Sequence, residues 1–148
     1  MAERARSTVA LVVVTAIAVP AALVFALLVR QVFSTPGLVA AQDYLGPRVE
    51  PLAWWLVGAT VLASLLGFAL QRWLYRRAVA RLEDPYEGAE RAGLGALLIA
   101  SSVPQLPALA VCITYMLGGP FEPAFVGAAI SLGAVLIMAV AMTHARDA

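Results

Sequence analysis

The sequence predicts an all-α integral membrane protein, a four-transmembrane-helix up-down bundle with a cytoplasmic helical hairpin between helices 2 and 3. Three observations carry this expectation. Apolar residues make up 62% of the chain and charged residues 13%, against about a quarter charged in an ordinary soluble domain. So large an apolar surplus has to face lipid. Four apolar runs are each long enough, at about 1.5 Å per residue, to cross a hydrocarbon core roughly 30 Å thick. Eight of the ten arginines fall on one side of those runs and two on the other.

The predicted spans are residues 9–33, 51–73, 91–117 and 121–142 of a single transmembrane domain covering 1–148. None carries Asp, Glu, Lys or Arg near its middle, where one charge costs roughly 2.5–3.5 kcal/mol on insertion scales. The first run follows Arg4 and Arg6, as the apolar part of a secretory leader would. From Val9 to Val29 it exceeds the about 7–15 residues of such a region, so it is read as a retained first helix.

Every basic residue is an arginine. Arg4 and Arg6 precede the first span, Arg72, Arg76, Arg77, Arg81 and Arg91 lie between the second and third, and Arg146 follows the fourth. Only Arg30 and Arg48 lie on the opposite side. Basic residues collect on the cytoplasmic side of short loops. Both termini and loop 74–90 are therefore expected in the cytoplasm, and loop 34–50 outside. The Ala-, Val-, Leu- and Gly-rich, lysine-free composition points to a bacterial cytoplasmic (inner) membrane. Trp54 and Trp55 at one edge of the second span, with Trp73 and Tyr75 at the other, suit the headgroup level.

Residues 72–82 contain no helix breaker, so the second helix is expected to extend past the membrane. Asp84-Pro85-Tyr86-Glu87 reads as a helix start, with Asp84 as N-cap, Pro85 first and Glu87 as capping-box partner. Glu83, Asp84, Glu87 and Glu90 would then face Arg76, Arg77, Arg81 and Arg91 across a hairpin, each exposed pair contributing about 0–1 kcal/mol. On the other side, Pro36-Gly37 is expected to stop the first helix. Leu38–Leu45 would form a short interfacial helix ended by Gly46-Pro47. Gly118-Gly119-Pro120 leaves the third and fourth helices as antiparallel neighbours. A weak internal symmetry, Pro20 with Pro104 and Glu50-Pro51 with Glu122-Pro123, suggests a parallel repeat of two spans.

Function is bounded mainly by exclusion. The chain leaves no length for a soluble catalytic domain. A net charge of +1 gives no electrostatic case for nucleic acid. Cys112 is the single cysteine, so no disulfide within the chain and no multi-cysteine centre is expected. His144 stands alone beside Arg146 and reads as a solvated tail residue. No catalytic set, metal site or cofactor is expected.

Three features remain as candidates. Ser101, Ser102, Pro104, Gln105 and Pro107 form a polar kink near the middle of the third span, because each proline removes a backbone donor and frees a carbonyl. The kink either lines a path or bonds a neighbouring helix. Small residues at helical spacing, Ala59, Ala63 and Gly67 in the second helix and Gly127, Ser131, Ala129 and Gly133 in the fourth, mark candidate helix-packing faces, within the bundle or against another subunit. Glu50 and Glu122 are outer acidic helix starts favoured by the helix dipole. They are alternatively a paired cation site, with Arg30 near enough to join one of them or to snorkel to headgroups. The leading expectation is a small non-catalytic subunit or accessory scaffold of a larger membrane complex, partnered by lipid and by other membrane subunits or itself. The alternative is a small transporter or channel acting as a homo-oligomer, with the Pro104/Gln105 kink lining the path. An enzyme ranks third, since Glu50 and Glu122 on one side and His144 on the other would each have to act alone.

Overall fold

The computed structural model describes the backbone of residues 2–81 and 85–147, and the side chains of residues 10, 12–81 and 92–142. Within these the chain is helical throughout. Helix α1 runs Ala2–Val32, α2 Pro36–Val79, α3 Pro85–Met116 and α4 Phe121–Asp147. All four contain a segment long and apolar enough to cross a membrane. The many large apolar side chains left exposed, such as Phe25, Leu62, Leu66 and Ile137, are those a lipid solvent would cover.

Helix α3 is the hub and packs against each of the other three. Helices α1 and α2 both pack against α3 and α4 but not against each other among the described residues. The arrangement is therefore a rhombus, with the α3–α4 pair wedged between α1 and α2. The faces that meet are spaced at three and four residues. In α1 they are Ala16, Val19, Leu23 and Ala26, and in α2 they are Ala53, Val57, Thr60, Ser64, Gly67 and Gln71. That alternation keeps one stripe toward a partner helix, and small residues let backbones approach closely. The stripe in α2 is rotated slightly from the expected one: Gly67 belongs to it, while Ala59 and Ala63 lie half-buried on its flank.

The largest departure from expectation is residues 34–50. Only Phe33, Ser34 and Thr35 separate α1 from α2. Helix α2 then continues unbroken for 44 residues, about 66 Å at about 1.5 Å per residue. The predicted interfacial helix Leu38–Leu45 is the first part of α2, not a separate element, and neither Gly46-Pro47 nor Glu50-Pro51 interrupts it. Thr35 is extended and Pro36 occupies the first turn, where its missing N–H costs nothing. Pro47 and Pro51 each remove one hydrogen bond, to the carbonyls of Asp43 and Pro47, and the helix tolerates this because its N-terminal arm is pinned by tertiary contacts. The Gln42 amide Nε2 donates to the Met116 carbonyl at 2.9 Å. Gly46 lies so close to the α3–α4 turn that a Cβ there would stand 2.7 Å from the Gly118 carbonyl oxygen. With Glu50-Pro51 inside α2 and Glu122-Pro123 in the first turn of α4, and with α1 and α2 apart while α3 and α4 touch, the two halves do not match as the repeat required.

The far end of α2 agrees with the sequence. It extends beyond Trp73 to Val79, with Arg76 and Arg77 in its last turn, where cations favour the helix dipole. Helix α3 begins at Pro85 as expected. Asp84, and the charged side chains Glu83, Glu87, Glu90 and Arg91, lie outside the described residues, as do Arg4, Arg6, His144 and Arg146.

The turn between α3 and α4 follows from its glycines. Gly118 has φ +102, open to glycine at no steric cost. Gly118 N–H donates to the Tyr115 carbonyl at 3.1 Å and Gly119 N–H to the Thr114 carbonyl at 2.9 Å, the paired bonds of a Schellman motif. Leu117 N–H reaches Ile113 at 3.1 Å. The remaining carbonyl of that last turn, Met116, is the one Gln42 serves. All four carbonyls that a helix C-terminus leaves open are therefore occupied.

Candidate functional site

The polar kink of α3 is present, but its side chains do not converge. Pro104 and Pro107 lie inside the helix and cannot donate to the carbonyls of Ala100 and Val103. Ser101 and Ser102 do not serve those carbonyls. Ser101 Oγ donates to Leu98 O at 3.1 Å and Ser102 Oγ to Ile99 O at 2.7 Å. Ser101 is buried and Ser102 exposed. Gln105 Nε2 leaves its own helix and donates to the Thr15 carbonyl of α1 at 2.8 Å. The Ala100 carbonyl faces Gly67 of α2, where a Cβ would stand 3.0 Å away.

Gln105 has two counterparts that the sequence reading passed over. Buried Gln71 donates from Nε2 to the Met138 carbonyl of α4 at 3.0 Å, and Gln42 reaches Met116 as described. Three glutamine amides thus join α1 to α3, α2 to α4 and α2 to α3, each to a main-chain oxygen. The available signal was residue type: an amide in an apolar span needs a partner from another helix. Thr60, Ser64 and Thr114 bond within their own helices, to Leu56, Thr60 and Val111 at 2.8, 2.7 and 2.7 Å.

Of the small residues in α4, Gly127 and Ser131 face inward. A Cβ on Gly127 would meet the Val111 side chain at 3.5 Å, an ordinary contact. Ser131 is 1% exposed and its Oγ has no hydrogen-bond partner. Gly133 faces open space, and Ala129 is exposed. Cys112 is a buried free cysteine in the apolar core, beside Val111 and Tyr115.

The acids predicted at one edge do come together. Glu50 and Glu122 line one cavity of about 650 Å³ at the end of the bundle where α3 turns into α4, with Arg30, Gln42, Asp43 and Tyr115. Glu122 is in the first turn of α4, as expected, whereas Glu50 sits inside α2. Arg30 pairs with neither. Its Nη1 donates to the Gly119 carbonyl at 3.1 Å and, more weakly, to the Tyr115 carbonyl at 3.4 Å. Its guanidinium carbon lies 4.6 Å from the centre of the Tyr115 ring. The C-terminus of α3 is rich in carbonyl oxygens and favours a cation, so the helix end and the ring outcompete an exposed carboxylate. Tyr115 in turn meets Phe121 edge-on at 5.7 Å. Elsewhere on α2, Arg48 stacks on Tyr44 at 3.8 Å and Arg77 on Trp73 at 5.0 Å. A smaller open hollow of about 370 Å³ lies between Trp54, Trp55, Pro51 and Gly58. Among the described residues no group of three or more His, Cys, Asp or Glu side chains is placed to hold a metal ion.

Comparison with known protein families, curated proteins and solved structures gives no match.

Proposed function

We propose that this chain is a non-catalytic scaffold, a small subunit or accessory protein of a larger assembly in a bacterial cytoplasmic membrane. One observation supports the reading above the others. The side-chain amides of Gln71 and Gln105 bond carbonyls of neighbouring helices, which is the use of polar residues as glue between membrane helices. Native mass spectrometry of the protein released with surrounding lipid from its own host tests it. Other polypeptides in the recovered mass support a subunit, and their identities name the assembly. A monomer without partners would sink the proposal.

The alternative is a homo-oligomeric transporter or channel with the Pro104/Gln105 kink along its path. The two readings separate on Gln105→Leu. As a scaffold, the variant keeps its partners and loses about 0.6 kcal/mol of stability, the average value of such an interhelical bond. As a path, it loses flux in a liposome assay while its fold is unchanged.

Both termini are proposed to lie in the cytoplasm, supported by the arginine distribution. In a Cys112→Ser background, Ala41→Cys in the α2 arm should react with a membrane-impermeant maleimide in intact spheroplasts. Ala80→Cys should react only after lysis. The reverse pattern would invert the topology.

A further inference from the structure

The cavity at the α3–α4 turn holds unspent charge of both signs. A guanidinium carries five N–H donors. The Nη1 pair of Arg30 is committed to Gly119 and Tyr115, and the remaining three donors have no protein partner among the described residues. On the same cavity wall stand Asp43, Glu50 and Glu122, none of which makes an ion pair or hydrogen bond among the described residues. Pro47, also on the wall, cannot donate a helical hydrogen bond to the Asp43 carbonyl. Arg30 is prevented from neutralising these acids by its anchorage on the ring and the helix end. The cavity is open to its surroundings, and its volume of about 650 Å³ leaves room for a headgroup.

We infer that this cavity receives the headgroup of an aminophospholipid, its phosphate on the free N–H groups of Arg30 and its ammonium among Asp43, Glu50 and Glu122. Phosphate matches the planar fork of an arginine. The excess of carboxylates over the single cation disfavours a purely anionic headgroup and requires a positive group on the same molecule. The location suits a lipid rather than a dissolved compound. The cavity sits where α1 and α3 end and α4 begins, so acyl chains would descend along spans whose outer faces are already apolar. This inference is independent of the scaffold proposal, since a lipid bound there is compatible with any assembly.

The test uses the whole chain in nanodiscs of equal parts phosphatidylethanolamine and phosphatidylglycerol, with retained lipids counted by native mass spectrometry. Wild type should retain phosphatidylethanolamine about tenfold over phosphatidylglycerol, the size of one charge-assisted hydrogen bond. Arg30→Gln should lower retention of both lipids severalfold, because the phosphate it holds is common to the two headgroups. Because Arg30 also braces the turn, Glu122→Gln and Asp43→Asn provide the second measurement. Both side chains are exposed, so thermal midpoints should hold while the preference falls severalfold. Equal retention of the two lipids by wild type, or a preference unchanged in the Glu122 and Asp43 variants, overturns the assignment. Displacement by millimolar free O-phosphoethanolamine would also overturn it, in favour of a soluble zwitterion.

Discussion

Gly118→Ala should lower the unfolding free energy by about 3 kcal/mol, combining a strained backbone of about 1–3 kcal/mol with overpacking of similar size. Two independent effects act on the same methyl group. The backbone at φ +102 is one that side-chain-bearing residues rarely adopt. The added Cβ would also run into the main chain of α2, against the Gln42 carbonyl oxygen and 2.8 Å from its carbonyl carbon. Main chain cannot swing aside as a side chain can. Either the turn opens or the α2 arm lifts, and the Gln42–Met116 bond goes with it. Denaturant titration in micelles, followed by tryptophan fluorescence, reads the loss. Gly46→Ala probes the same seam from the other side, with its Cβ 2.7 Å from the Gly118 oxygen but no backbone strain, and should lose less, about 1–2 kcal/mol. Wild-type stability in both variants would show that the arm does not rest on the turn.

Gly67→Val should cost about 2–3 kcal/mol, at the upper end of overpacking in a tight core. Its Cβ would stand 2.6 Å from the terminal methyl of Met138, 3.0 Å from the Ala100 carbonyl oxygen and 3.5 Å from Cδ of Pro104. The methionine methyl can move, since that side chain is flexible. The Ala100 oxygen cannot, because it belongs to the backbone of the proline kink that docks there. Ala63→Val, one turn earlier on the flank of the stripe, is the control and should stay within about 0.5 kcal/mol of wild type. Equal losses at positions 63 and 67 would mean that α2 presents a different face to α3.

The four helices were legible because apolar runs of membrane length leave little other choice, and because Arg72 to Val79 offers no breaker. Helix boundaries were legible where local chemistry decides them: Pro85 at the start of α3 and Gly118 at the end of α3. They were misread at Gly46-Pro47 and Glu50-Pro51. Local propensity there says stop, and a contact between residues 46 and 118, distant in sequence, keeps the helix going. The same cause limited the candidate site. The meeting of Glu50 and Glu122 in one cavity with Asp43 depends on the α2 arm crossing the α3–α4 turn, which no local pattern announces. The partner of Arg30 was missed for a related reason: ion pairing ranks charges by sign, whereas the structure offers it carbonyl oxygens at a helix end and an aromatic face.

The separation of α1 from α2 bears on how the chain is made. Synthesis proceeds from the N-terminus, so these two helices enter the bilayer before α3 and α4. They are tied together by three residues yet make no packing contact with each other among the described residues. In the interval before the second half is inserted they are two independent spans, and neither the Gln71–Met138 nor the Gln105–Thr15 bond has formed. The later α3–α4 hairpin therefore acts as the keystone of assembly, entering between two piers already standing.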